Sequence, residues 1–147
     1  MDLQENLKMK GELNIVVRDQ EGNITKEMLV PNLVVTVGKN FIASRMVGTS
    51  SAIMSHMAIG TSTTTPAVAN TTLGTEAGRV SLASSSASGN QVTYTATFPA
   101  GTGTGAITEA GIFNASSAGT LLCRTTFPVV NKAAGDSIAV TWVVTVS

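Results

Sequence analysis

Residues 91–98 read QVTYTATF, and their alternation is the clearest indication of the fold class. Apolar residues at its even positions alternate with Gln and Thr at its odd positions, which is the period of a strand with one buried face. Residues 138–146, IAVTWVVTV, repeat the pattern with Trp142 at the centre of the apolar side. Thr and Val favour strands because branching at Cβ suits a pleated surface. The C-terminal third therefore predicts an antiparallel sheet with one buried face.

Shorter alternating segments separated by turn residues extend the pattern towards the N-terminus. Residues 12–19 and 24–30 flank the turn 20–23 and predict the clearest hairpin. Further strands are expected at residues 54–59, 79–84, 107–113 and 120–127. Residues 33–47 predict a short helix, with Thr36 as its cap and a buried stripe of Val37, Phe41, Ile42 and Met46. We predict an all-β, two-sheet β-sandwich, jelly-roll-like, with about eight strands and one short helix.

The chain of 147 residues fits one domain. Residues 1–11 are polar with scattered Leu3, Leu7 and Met9, so we expect an N-terminal arm there. Residues 12–147 are expected to form a single β-sandwich domain. The start of the chain shows no basic and apolar leader pattern, and a single cysteine cannot form an intrachain disulfide, so synthesis in a reducing cytoplasm is expected.

Charge is scarce in this sequence and hydroxyl groups are abundant. Charged residues make up 12%, the formal net charge is +0, and 14 Ser and 21 Thr supply about a quarter of the chain. This composition excludes a coiled coil, which needs many Glu, Lys and Leu. It also argues against nucleic-acid binding, which needs a basic surface. Hydrophobic residues at 43% argue against disorder.

The lone histidine and the lone cysteine are both expected to be structural. His56 lies between Met54 and Met57 with no second histidine nearby, and one His with one Cys falls short of a zinc site. A reactive thiolate needs a base or a positive charge beside it, and Arg124 would point to the opposite face of the strand. Cys123 is therefore expected to be a small buried hydrophobe. We therefore predict no metal ligand here.

Glu109 is the most informative acidic residue, since it stands inside a predicted strand. A buried carboxylate needs a partner, which Arg79 or Arg124 could supply, so a structural ion pair or a subunit contact is expected. A glycosidase-type carboxylate pair drawn from distant positions is the alternative. Residues 101–105, GTGTG, lead into a strand and not a helix, which argues against a phosphate-binding loop. We predict no catalytic or cofactor-binding residue and no enzyme activity.

The threonine-rich strand faces offer a different kind of surface. Thr93, Thr95 and Thr97 share one face, as do Thr141 and Thr145. Such a face either lies in solvent or packs against another copy of itself at low desolvation cost. Too few aromatic residues are present for a base-stacking platform.

Three segments carry a resemblance to a known group of proteins. Residues 30–46, VPNLVVTVGKNFIASRM, resemble the opening of small virion proteins of tailed bacteriophages. Residues 57–67, MAIGTSTTTPA, are similar to a loop of phage tail-fibre and tail-collar segments. Residues 107–114, ITEAGIFN, resemble a strand of the same proteins. The resemblance covers roughly residues 30–147.

The resemblance implies a virion structural protein made in the bacterial host cytoplasm. A one-domain chain suits a capsid-decoration (cement) protein that stabilises the head shell, with itself as a homotrimer and the major capsid protein as partners. A tail-fibre, collar or baseplate accessory protein, which would contact tail proteins, is the alternative. A carbohydrate-binding β-sandwich module is a third possibility from another class. Neither nucleic acid nor a membrane is expected as a partner.

Overall fold

The protein is described by a computed structural model over residues 7–48 and 52–147. The predicted all-β class is confirmed, with nine strands and one helix in the described residues. The elements are β1 (Met9–Arg18), β2 (Ile24–Val34), α1 (Thr36–Arg45), β3 (His56–Gly60), β4 (Glu76–Ser81), β5 (Ser84–Ser88), β6 (Gln91–Phe98), β7 (Gly105–Phe113), β8 (Leu121–Lys132) and β9 (Ser137–Val146). No helix in these ranges is long and apolar enough to cross a membrane.

The strands form one antiparallel sheet in the order β4-β3-β7-β8-β2-β1-β9-β6-β5. Strand β2 joins two halves, since it pairs with β1 along most of its length but with β8 only at Leu33 and Val34. The sheet is curled, and its two end strands follow one another in the chain. Strand β4 at one end leads through Leu82 and Ala83 into β5 at the other, and the Ala83 N–H donates to the Thr95 oxygen of β6 at 2.7 Å. The finding is a single curled sheet, and the finer division into two jelly-roll sheets is not established by this pairing.

The core lies between the two halves of the curled sheet. The half built from β1, β9 and β6 contributes inward-facing residues such as Leu13, Phe98 and Trp142. The half built from β3, β7 and β8 contributes Met57, Ile112 and others. The alternation in residues 91–98 and 138–146 is thus the alternation between core and outer face.

Helix α1 lies within the predicted segment, but its start differs in detail. Thr36 is its first residue, Val35 is the cap, and no side chain caps the helix, so the expected capping role of Thr36 is wrong. Phe41 and Ile42 pack against the core as expected. Met46 follows the helix end and is 84% exposed, so it lies outside the predicted buried stripe.

Strand β1 begins inside the segment expected to be an arm. Met9 to Gly11 pair with the C-terminal strand β9, and the Lys8 and Ser147 backbones exchange hydrogen bonds. Residues 9–11 therefore belong to the sheet, because the last strand offers them a complete ladder. Residues 1–6 of the expected arm lie outside the described residues.

Candidate assembly surface

The outward face of β5, β6 and β9 gathers the threonines that the sequence singled out. Thr95 is the cross-strand partner of Thr141, and Thr93 is the partner of Val143. Thr145 is paired with Gln91, whose side-chain amide donates to the Thr145 hydroxyl at 3.3 Å. The two threonine groups predicted separately thus form one surface.

Strand β5 continues this surface to the edge of the sheet. Ser84 is paired with Thr95 and Ser86 with Thr93, and the Ser84 and Thr95 hydroxyls are hydrogen bonded. We define the hydroxyl face as the outward side chains of these three strands: Ser84, Ser86, Ser88, Gln91, Thr93, Thr95, Thr97, Ala139, Thr141, Val143 and Thr145.

The hydroxyl face has no charged side chain of its own. Strands β5, β6 and β9 contain no Asp, Glu, Lys or Arg at any position. Charges start on the next strand, β1, where Lys10 pairs with Thr145 and Glu12 with Val143. Desolvating such a face costs only hydroxyl and amide hydration, which a partner's hydrogen bonds can replace.

A second feature, on the other half of the sheet, is a fully buried ion pair. Arg124 of β8 donates to Glu109 of β7 through Nε at 3.2 Å and Nη2 at 3.1 Å, both to Oε1. Their side chains are 1% and 0% exposed. Of the two partners expected for Glu109, the structure selects Arg124, and the predicted structural ion pair is confirmed.

The ion pair holds the long loop between β3 and β4. Three backbone N–H groups donate to the Glu109 carboxylate: Gly74 to Oε1 at 2.8 Å, and Ser62 and Thr75 to Oε2 at 3.0 and 2.7 Å. Arg124 reaches the same loop, donating to the Asn70 side-chain oxygen and the Thr64 carbonyl, each at 3.0 Å. A loop without regular structure is therefore held by charge-assisted hydrogen bonds along its length.

Close packing accompanies these bonds. A Cβ added to Gly60 would lie 2.2 Å from the Thr75 carbonyl oxygen and 2.5 Å from Glu109 Oε2. Leu73 of the loop is buried in a small cluster with Val35, Ala58 and Phe113. The loop thus packs through Leu73 on the outer face of this half of the sheet.

Arg79 has a different role from the one considered for it. Its guanidinium pairs with Glu76 at 2.6 Å and lies 3.8 Å from the Phe113 ring centroid. It also donates to the Ala115 and Ala118 carbonyls at 2.9 Å each. These contacts bind the turn after β7 to strand β4, and none of them reaches Glu109.

The remaining candidate residues lie apart from one another. His56 is in β3, with Nδ1 2.8 Å from the Ser55 hydroxyl, and no group of three or more His, Cys, Asp or Glu able to hold a metal occurs among the described residues. Cys123 is fully buried, and burial raises the pKa of its thiol well above the usual range. The glycine-rich residues 101–105 lead into strand β7, which begins at Gly105, as the sequence predicted, and Trp142 is buried in the core.

Two features escaped the sequence reasoning. Ser84–Ser88 reads as a small polar turn region but forms edge strand β5, because β6 supplies a ladder that serine can use despite its modest strand preference. Lys132 is 1% exposed, with Nζ donating to the Pro99 and Asp136 carbonyls at 2.9 and 2.7 Å. No local pattern marks that lysine, since its partners come from two separate turns.

No family model, curated protein or solved structure matches this chain.

Proposed function

We propose that this chain is a non-enzymatic structural protein of a tailed-phage virion, and first of all a capsid-decoration protein acting as an oligomer. The observation that carries the proposal is the hydroxyl face, an uncharged strand surface formed from three adjacent strands. A trimer, as the resemblance implies, would bind several shell subunits at once, so that modest contacts add up through multivalency. The two halves of the curled sheet would serve as the two layers of a sandwich around the shared core.

The ion pair supports a structural role over a catalytic one. Both Glu109 oxygens accept hydrogen bonds from backbone or from Arg124, so this carboxylate serves to hold the loop. A general acid or base needs a proton-exchanging contact with substrate, and a fully buried carboxylate under a covering loop has no path to one.

A tail-fibre, collar or baseplate accessory role is the second candidate, and one observation favours it. The loop similar to tail-collar segments and the ITEAGIFN strand are joined in space by Glu109, which accepts from Ser62 in the loop. The two segments of resemblance thus form one structural unit. A carbohydrate-binding module is the third candidate, and it would require aromatic rings on an exposed face.

Copy number in purified virions tests the proposal. A decoration protein is expected in hundreds of copies, close to the count of the shell protein, whereas a tail component is expected in about three to a few dozen. Quantitative mass spectrometry against the shell protein measures the ratio. Absence from virions together with binding on a glycan array would overturn the virion proposal and support the carbohydrate-binding module.

A further inference from the structure

The outer edge of strand β5 is unpaired among the described residues. In the sheet order β5 stands at one end and pairs only with β6. All five of its residues, Ser84–Ser88, are exposed. Proteins usually protect such an edge with lysine, proline or a bulge, because free backbone groups pair readily with another strand. Strand β5 has none of these protections.

The turn after β5 shows which backbone groups face outwards. Gly89 and Asn90 form a two-residue connection, with Gly89 at φ +58°, and Ser88 and Gln91 are the closing pair. In such a hairpin the closing pair exchanges backbone hydrogen bonds, and bonded pairs then alternate along the ladder. Ser86 and Ser84 therefore bond to β6, while the N–H and C=O groups of Ser85 and Ala87 point to the free edge.

We propose that a second copy of this chain pairs with this edge, so that two β5 strands lie antiparallel and the two sheets become continuous. In self-pairing about a two-fold axis the central residue of the strand faces its own counterpart, so a charge there would meet a like charge. Strand β5 and the next two strands of the sheet, β6 and β9, contain no charge, whereas the opposite end strand β4 carries Glu76 and Arg79. The β5 end is thus the one suited to self-association.

Geometry selects one register. When Ser86 faces its counterpart, Ser85 of each copy faces Ala87 of the other, and all the outward N–H and C=O groups of β5 are used. The Ser86 side chains then lie on the hydroxyl face, which runs unbroken across both copies. Any other antiparallel register leaves part of the free backbone unpaired, at a cost in hydrogen bonds.

A hydrophobic contact supports the same site. Ile53 is 61% exposed and lines a hollow of about 190 Å³ with Ser85, Ala87 and Tyr94 on the other side of β5. In the selected register Ala87 of the second copy lies opposite Ser85, beside this hollow. The pairing would therefore cover an apolar side chain as well as the strand edge.

This inference rests on the self-association within the proposed function and not on the virion location. A chain with a two-fold contact at this edge and a three-fold contact elsewhere would build larger symmetric assemblies.

Cysteine cross-linking of the purified full chain tests the pairing and its register. Facing residues of this type have Cα atoms about 4.5 Å apart, within the range that a disulfide spans. Under oxidised glutathione, Ser86→Cys should form a covalent dimer at least about tenfold faster than Ser116→Cys, an exposed control in the turn after β7. An equal mixture of Ser84→Cys and Ser88→Cys should cross-link, while Ser84→Cys alone should not.

A charge variant measures the same contact without a covalent bond. Ser86→Lys places two like charges opposite each other and should abolish the dimer in sedimentation experiments, while Ser116→Lys should keep it. Ser86→Cys cross-linking no faster than Ser116→Cys, or a dimer unaffected by Ser86→Lys, would overturn the pairing. Because these arms use purified protein and the copy-number test uses virions, failure of one proposal is distinguishable from failure of the other.

Discussion

The Glu109 carboxylate and the Arg124 guanidinium form an ion pair, 3.1 Å between Oε1 and Nη2, from which solvent is excluded. The two side chains form hydrogen bonds with each other and also with the loop that covers them. Burying two charges is costly, and such a pair is stable only when the remaining hydrogen-bonding positions are filled. Here backbone groups of the loop between β3 and β4 fill them, so the loop and the ion pair depend on each other.

Removing the charge of Glu109 should be strongly destabilising. Glu109→Gln leaves Arg124 buried without its counter-ion and turns an amide NH₂ towards backbone donors, so we expect a loss of about 3–5 kcal/mol in the free energy of unfolding. Urea denaturation measures the loss. The matched control is Glu76→Gln at the partly exposed pair with Arg79, which should cost less than about 1 kcal/mol. Similar losses in both variants would contradict the structural role assigned to Glu109.

The guanidinium shape matters as well as its charge. Arg124→Lys keeps the charge but cannot reach Glu109, Asn70 and the Thr64 carbonyl together. We expect hydrogen exchange at the amides of Ser62, Gly74 and Thr75 to accelerate by about tenfold or more, because these amides donate to Glu109.

The turn after β1 provides the internal control for that exchange experiment. The amides of Glu21 and Asn23 donate to the Asp19 carboxylate, far from the ion pair in sequence, and should exchange at an unchanged rate. A uniform acceleration over both regions would instead indicate global destabilisation by Arg124→Lys.

Alkaline pH should destabilise the fold through the buried thiol. Burial raises the pKa of Cys123, so the native thiol stays protonated while the unfolded thiol ionises near pH ~8.5. The unfolded state then binds fewer protons than the native state, and stability falls as pH rises, by up to about 1.4 kcal/mol per pH unit. Cys123→Ala should lessen this fall between pH ~8.5 and ~10, as measured by urea denaturation.

Tyr94 gives the comparison for that experiment. Burial, with a smaller effect of Cys123, raises the Tyr94 pKa to about 12. Its contribution is present below pH ~10 and is lost above that pH, so both the parent chain and Cys123→Ala should lose stability there. Desolvation lowers the Lys132 pKa, and this opposing effect is common to both proteins. An identical pH dependence of the two proteins throughout would show that the thiol has no role.

A charge on the hydroxyl face should weaken self-association. Thr141 is exposed at the centre of that face, beside Thr95. Thr141→Lys adds one charge that a partner must desolvate. We therefore expect the dissociation constant of the oligomer, measured by sedimentation, to rise by about tenfold or more. Thr71→Lys, in the exposed loop between β3 and β4, is the control and should leave the association unchanged. Equal effects at both positions would exclude the hydroxyl face as the contact.

Local pattern predicted the elements whose signal is periodic. Residues 91–98 and 138–146 alternate because one face packs on Trp142 and its neighbours, so the period directly reports burial. The helix was placed correctly within residues 33–47, but Thr36 failed as a cap because capping depends on backbone geometry at a single residue. Strand β5 was missed because serine has no periodic signature, and its strand conformation comes from the β6 ladder.

Local sequence pattern was enough to predict the all-β class, the alternation of threonine with apolar residues and the need of Glu109 for a cationic partner. Only the folded chain shows that Arg124 and not Arg79 is that partner, that the two threonine groups lie side by side, and that β4 and β5 form the two ends of the sheet. These two kinds of information differ in their range along the chain. Periodicity and charge burial are properties of neighbours along the chain, whereas strand order and partner choice depend on contacts between residues far apart in sequence, which only the folded sheet brings together.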